Sequence, residues 1–234
     1  MRLALHPGSS TYSLSVPLGT VERVNETARG ALIVFEGGDG AGKSTQVQAV
    51  ARALESQGRT VIRTREPGGT PLAESVRGLV LDPAHAPVDA YTEALLFASA
   101  RADHVNRFIR PAIDRGDVVI SDRFVDSSVA YQGAARGLGV ENVQELNEWA
   151  LRGLTPDLTV LLDVDTSVAE SRRTDRGLAA DRMEGEDRIF HTVVNQAFRG
   201  LAATAPKRYL VLAADQPVQA ITDRILERLT EVLS

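Results

Sequence analysis

Lys43 and Ser44 close the segment GGDGAGKS (37–44), which follows the apolar run ALIVFE (31–36) and precedes a stretch of helical periodicity. The pattern G-x-x-x-x-G-K-[ST] between a strand and a helix is a phosphate-binding loop. Its glycines let backbone N–H groups turn toward an oligophosphate, and the helix N-terminus adds positive potential. Gly37, Gly38, Asp39, Gly40, Ala41, Gly42, Lys43, Ser44 and Thr45 are therefore expected to hold a nucleoside triphosphate. Lys43 would reach its β- and γ-phosphates, and the Ser44 hydroxyl would ligate Mg²⁺. The loop identifies a donor and leaves open what receives the phosphoryl group.

Three further clusters bear on the acceptor. VVISDRF (118–124) ends a buried run on Asp122 and Arg123. A carboxylate there can hold Mg²⁺, and a guanidinium can grip a second phosphate. TREPGGTP (64–71) puts Glu66 at the end of another run, with Arg77 on the helix that follows. Glu66 is a candidate Mg²⁺ ligand as well as an acceptor-site residue. Phe97 and Arg101 lie four residues apart and share a helix face, so a ring and a guanidinium can stack on a base and read its edge. Each has a plainer reading alone: a strand-end ion pair, a core phenylalanine, a solvated arginine.

These residues need a frame that brings them together. Helical stretches alternate with β-rich runs at 31–36, 60–66, 117–122, 157–165 and 208–214. Such alternation predicts an α/β fold with a five-stranded parallel sheet covered on both faces. Ligands of these sheets bind outside the carboxyl ends of the strands, where all the clusters fall. One long helix is expected from Ala90 to Ile109, stopped or kinked near Pro111. An amphipathic helix over 141–153 is expected to turn Val143, Leu146, Trp149 and Ala150 inward. The final helix should bury Val218, Ile221, Ile225 and Leu229.

A chain of 234 residues suits one such domain, here 30–234. Residues 1–29, rich in Ser, Thr, Pro and Gly, read as a flexible extension or as a start assigned too early. A net charge of −5 argues against nucleic acid as the main partner. No apolar run approaches membrane-spanning length, and the lack of cysteine fits a cytoplasmic protein.

In order along the chain, the phosphate loop, REPGGTP, LLFASAR, SDRF, SSVAYQG, PDLTVLLDVD and DRME together resemble the thymidylate kinases among P-loop nucleoside-monophosphate kinases. The resemblance spans essentially all of residues 30–234. It implies a three-layer P-loop fold with a short mobile lid, a homodimer, and transfer of the γ-phosphoryl of ATP to dTMP with Mg²⁺. Phe97 would then stack on thymine, and Arg101 would bond its O4 edge. Arg123 and Arg77 would hold the acceptor phosphate, and Asp39 would lie near the 3′-hydroxyl. Ser128 and Gln132 would contact the base, and Tyr131 would pack beside the deoxyribose. Family members with glycine at the position of Gly40 draw catalytic arginines from the lid. The segment SRRTDRGLAADRME (171–184) offers Arg172, Arg173, Arg176 and Arg182 for that purpose. Of these, Arg176 is expected in catalysis and Arg172 beside the adenine. A kinase for another monophosphate or a deoxynucleoside, or a nucleotide switch, would share the loop and differ in the acceptor.

Overall fold

Alternate residues of the first strand, β1 (Ala31–Glu36), serve two different cores, which is why the run is apolar throughout. In this computed structural model, which describes residues 30–175 and 181–234, Ile33 and Phe35 face one side of a sheet. Leu32 and Val34 face the other. The extension read over 1–29 lies outside the described residues.

Four strands join β1, namely β2 (Val61–Arg65), β3 (Val118–Asp122), β4 (Leu158–Asp163) and β5 (Tyr209–Ala213). All are parallel, in the order β2-β3-β1-β4-β5. On the first side of the sheet lie α1 (Lys43–Ser56) and α9 (Val218–Val232), through Val47, Val50, Leu54, Ile221, Ile225 and Leu229. Val105, Ile109, Ala112, Phe124 and Leu151 cover the second side. Register fixes the site: Phe35 pairs with Asp122, so the residues leaving β1 and β3 emerge side by side. These strands meet at the centre of the sheet, where crossovers leave in both directions and a crevice opens.

Three expectations need correction. The long helix is α3 (Ala90–His104), continued by a π-helical segment (Val105–Ile109) and α4 (Arg110–Asp114). Pro111 sits in the first turn of α4, and the wider π turn accommodates its missing N–H without ending the helical path. In α6 (Val140–Leu151), Trp149 is 84% exposed rather than inward. The buried stripe there is Val143, Asn147, Ala150 and Leu151, and position i+6 lies about 120° around the helix from Val143. Val218 is likewise exposed, at the first helical position after Pro217.

The remaining helices are α2 (Pro71–Leu81), α5 (Val125–Ser128), α7 (Thr166–Asp175) and α8 (Arg188–Thr204). A second π-helical segment, Val129–Ala135, follows α5 and packs Tyr131 against Phe190 and Phe198 of α8.

Candidate active site

A cleft of about 530 Å³ opens at the carboxyl ends of β1, β2 and β3. Its walls include Lys43, Ser44, Asp122, Arg123, Phe97 and Gln132, drawn from four stretches of chain. Asp39, Gly40, Gly42, Thr45, Glu66, Arg77, Arg101, Ser128, Tyr131 and Arg172 line it too, so nearly every residue singled out in the sequence converges here.

The phosphate loop runs from β1 into α1. Gly40 has φ +89°, and a Cβ there would come within 2.5 Å of the Ala169 carbonyl oxygen. Both the backbone angle and the packing of α7 therefore exclude a side chain at this position. Lys43 Nζ donates to the carbonyls of Gly37 and Gly38 at 3.0 Å each, so the ammonium is curled over its own loop. Burial, then the neighbouring Arg123, lowers its pKa. Ser44 Oγ donates to Asp122 Oδ2 at 2.8 Å, which sets a hydroxyl and a carboxylate together at the loop exit.

Arg123 holds the centre of the cleft in a left-handed backbone conformation, φ 71°, that costs a non-glycine residue about 1–3 kcal/mol. Its N–H donates to Phe35 O at 2.8 Å, and its carbonyl accepts from Ser121 Oγ at 2.8 Å. The guanidinium donates to Asp39 Oδ1 at 2.5 Å, Ser127 Oγ at 3.0 Å, Gly37 O at 3.1 Å and Tyr131 Oη at 3.3 Å. Tyr131 donates in turn to Asp39 Oδ2 at 3.0 Å. Burial works against charge on Asp39, yet Arg123 and then Lys43 hold its carboxyl well below the usual range. Burial and the Asp39 carboxylate push the Tyr131 phenol up, and Arg123 offsets only part of that.

At the far end of the cleft Phe97 is half-buried, and Arg101, 2% exposed, is enclosed by acceptors. Nε donates to Glu66 Oε2 at 2.7 Å, Nη1 to Ser128 Oγ at 3.0 Å and to Asn147 Oδ1, and Nη2 to Phe124 O at 3.1 Å. The other Glu66 oxygen accepts from His104 Nδ1 at 3.0 Å. Burial opposes ionisation of Glu66, but Arg101 and His104 lower its pKa. With both oxygens engaged, Glu66 fixes Arg101 rather than standing open as a Mg²⁺ ligand. Arg77 donates to Pro67 O at 2.8 Å.

Among the lid arginines, Arg172 donates twice to Ala214 O at 3.1 Å, at the edge of the cleft beyond β5. Arg182 turns the other way, donating to Val80 O at 2.8 Å and pairing with Glu93 Oε2 at 2.6 Å. Arg176 and the side chain of Arg173 lie outside the described residues.

Sequence reasoning passed over Glu36, His104, Glu93 and Asn147, all buried polar residues that hold the cleft's working groups. The available signal was at Glu36, an acid ending a wholly apolar strand. Glu36 is fully buried and accepts from Phe124 N at 2.8 Å, Ser127 N at 3.2 Å and Ser127 Oγ at 2.6 Å. Burial, reinforced by Asp126, pushes its pKa up to about 7 against the pull of Arg123 and these donors. A carboxyl that binds its proton more tightly when folded favours folding below its unfolded pKa of 4.5, and that contribution is lost as pH rises through about 7. The difference amounts to about 3 kcal/mol. As a prediction, Glu36→Gln removes this dependence, so the variant gains stability relative to wild type between pH 5 and pH 8. Urea midpoints at the two pH values test it; a mutant–wild-type difference that stays constant rejects the assignment.

Comparison with known proteins agrees with this geometry. The family model described as Thymidylate kinase matches residues 35–225. The thymidylate kinase of Symbiobacterium thermophilum is 48% identical over 201 residues, covering 86% of this chain and 93% of that protein. That of Rhizorhabdus wittichii is 47% identical over 205 residues, covering 87% and 99%. The crystal structure of thymidylate kinase from Ehrlichia chaffeensis superposes with a TM-score of 0.70 at 31% identity, covering 86% of this chain and 99% of that one. A phosphate loop, a strained arginine beside it and a base-sized pocket, matched over this much of the chain, make it a member of the thymidylate kinase family.

Proposed function

We propose that the chain transfers the γ-phosphoryl group of ATP to dTMP, giving ADP and dTDP. The observation that carries this reading is Arg123, clamped between the phosphate loop and a pocket walled by Phe97, Arg101, Ser128 and Gln132. A monophosphate whose base entered that pocket would bring its phosphate to Arg123 and Arg77, facing the loop.

The nucleophile is a phosphate oxygen, already anionic near neutral pH, so no general base is required. Catalysis then lies in alignment and charge neutralisation. Lys43 leaves the Gly37 and Gly38 carbonyls for the donor phosphates, and Arg123 exchanges Asp39 for the acceptor phosphate. Asp39, released, is free to accept from the sugar 3′-hydroxyl, and Tyr131 packs where a 2′-hydroxyl would stand. Arg172 flanks the adenine, and lid arginines, Arg176 first among them, close over the transferring group and exclude water.

Ser44 and Asp122 offer two hard oxygens beside the loop, which fits Mg²⁺, an ion that keeps waters and takes its remaining ligands from phosphate. When bound it would supply positive charge that offsets the charge of the donor phosphates. No helix among the described residues is long and apolar enough to cross a membrane. The exposed apolar residues Leu72 and Leu79 of α2, Tyr91 and Leu95 of α3, and Trp149 of α6 lie on three consecutively packed helices, which supports a homodimer through that face.

ADP release should depend on dTMP, with thymidine, UMP, CMP and GMP far poorer, and Arg123→Ala should lose about 10²-fold or more in kcat/KM for dTMP while ATP affinity holds. Near-normal dTMP kinetics in that variant would refute the phosphate-holding role. Phe97→Ala should raise the dTMP KM about 5- to 100-fold, the usual worth of base stacking; a change in melting temperature alone would make Phe97 a core residue. Trp149→Lys should convert a dimer to monomer in sedimentation velocity, and an unchanged sedimentation coefficient would move the interface elsewhere.

A further inference from the structure

Glu93, in the first turn of α3, is fully buried and lies between three side chains from distant parts of the chain. Its Oε1 accepts from Gln132 Nε2 at 2.9 Å and from Arg136 Nε at 3.2 Å. Its Oε2 accepts from Arg136 Nη2 at 3.2 Å and pairs with Arg182 Nη2 at 2.6 Å. Gln132 is itself 1% exposed, and its remaining surface is part of the cleft wall.

The two ends of a glutamine amide look alike in shape, so its orientation must come from its partners. Here they decide it. A carboxylate facing two guanidiniums has lone pairs and no proton to give, so only the NH₂ end of Gln132 can satisfy it. The amide oxygen must then point away from Glu93, toward the cleft, where no donor among the described residues occupies it. Gln132 is thus fixed as a hydrogen-bond acceptor. Across the pocket the polarity is opposite. Ser128 Oγ accepts from Arg101, which leaves its own proton to donate, and Arg101 Nη2 keeps one N–H beyond the bond to Phe124 O.

We propose that Glu93 is a positioning residue for base selection: by holding the Gln132 amide in one orientation, it makes the pocket demand an N–H at ring position 3 of the acceptor base. This rests on the reading that the base of a nucleoside monophosphate sits beside Phe97. A pyrimidine-2,4-dione shows a carbonyl to the donors and an N–H to Gln132. Cytosine inverts both positions. A base with the same 4-carbonyl and 5-methyl group but a bare lone pair at N3 inverts only the one that Glu93 controls.

5-Methyl-2′-deoxyisocytidine 5′-monophosphate has that pattern, with an amino group in place of the 2-carbonyl, and serves as the probe beside dTMP. Wild-type protein should favour dTMP by about 10²-fold or more in kcat/KM, since an amide oxygen facing a lone pair is left unpaired in a buried site. In Glu93→Gln the guanidiniums claim the new amide's oxygen, its NH₂ faces Gln132, and Gln132 turns its own NH₂ to the cleft. The dTMP preference should fall at least about tenfold through a gain on the analogue. Glu93→Asp, which keeps the carboxylate, should retain the wild-type ratio. Should Glu93→Gln not fold, Gln132→Met leaves Glu93 paired with both arginines and should lose dTMP turnover selectively, again lowering the ratio about tenfold.

A merely structural Glu93 would weaken both substrates by one factor. An unchanged ratio in Glu93→Gln, or in Gln132→Met where that is the variant measured, overturns the proposal. So does wild-type protein that uses the analogue as well as dTMP. Absence of ADP release with dTMP would instead overturn the kinase reading, and the proposal with it.

Discussion

Concentrated positive charge is the constraint on which this molecule is built. Lys43, Arg77, Arg101 and Arg123 surround one cleft, and a protein interior tolerates such charge only when oxygens face it. Without substrate the chain must supply those oxygens itself. Asp39 and the Gly37 carbonyl receive Arg123, the Gly37 and Gly38 carbonyls receive Lys43, and Pro67 O receives Arg77. Lys43 thus rests on neutral carbonyl oxygens, and Arg77 donates to one as well, whereas Arg123 is also matched by a carboxylate. Arg101 differs: carboxylate, hydroxyl, amide and carbonyl partners enclose it and fix its guanidinium in the cleft wall.

Buried carboxylates behind the cleft do the holding. Glu36 accepts from the backbone and side chain that follow Arg123, so the strained φ of Arg123 is fixed from beneath. Glu66 joins Arg101 to His104, whose Nε2 lies 2.7 Å from Thr64 Oγ1 of β2. Glu93 sets Gln132 and also ties down Arg182, the first arginine after the undescribed part of the lid segment. A hydrogen bond to a charged group is worth about 1.5–3 kcal/mol net, enough to hold one rotamer over its alternatives. Each acid thus turns a flexible polar group into a fixed one, which preorganised binding requires.

The phosphate loop, the parallel sheet and most cleft residues were legible because their signals are local. GGDGAGKS is contiguous, strands buried on both faces read as unbroken apolar runs, and Phe97 and Arg101 share a face by spacing alone. What stayed hidden depends on distance or on irregular backbone. Glu93 meets Gln132 across 39 positions, and Glu36 meets Ser127 across 91, with no local pattern announcing either. The π-helical turn at Val129–Ala135 is such an irregularity, although Ser128, Tyr131 and Gln132, at i, i+3 and i+4, still share the cleft-facing side. Trp149 is hydrophobic and yet outward, because its angular position lies off the buried stripe of α6.

Gly40 shows how packing refines a sequence argument. From sequence its missing side chain suggested only that a cation comes from elsewhere. In the fold the space beyond it belongs to the backbone of α7, 2.5 Å from where a Cβ would stand. An arginine at position 40 and a helix lying this close over the loop are therefore mutually exclusive arrangements. Having adopted the second, the chain brings α7 itself against the phosphate loop, and α7 carries Arg172 at the cleft edge. The helix that closes off position 40 is the one that sets Arg172 at the cleft edge, so the exclusion of a side chain at 40 and the placement of that cation follow from the same packing.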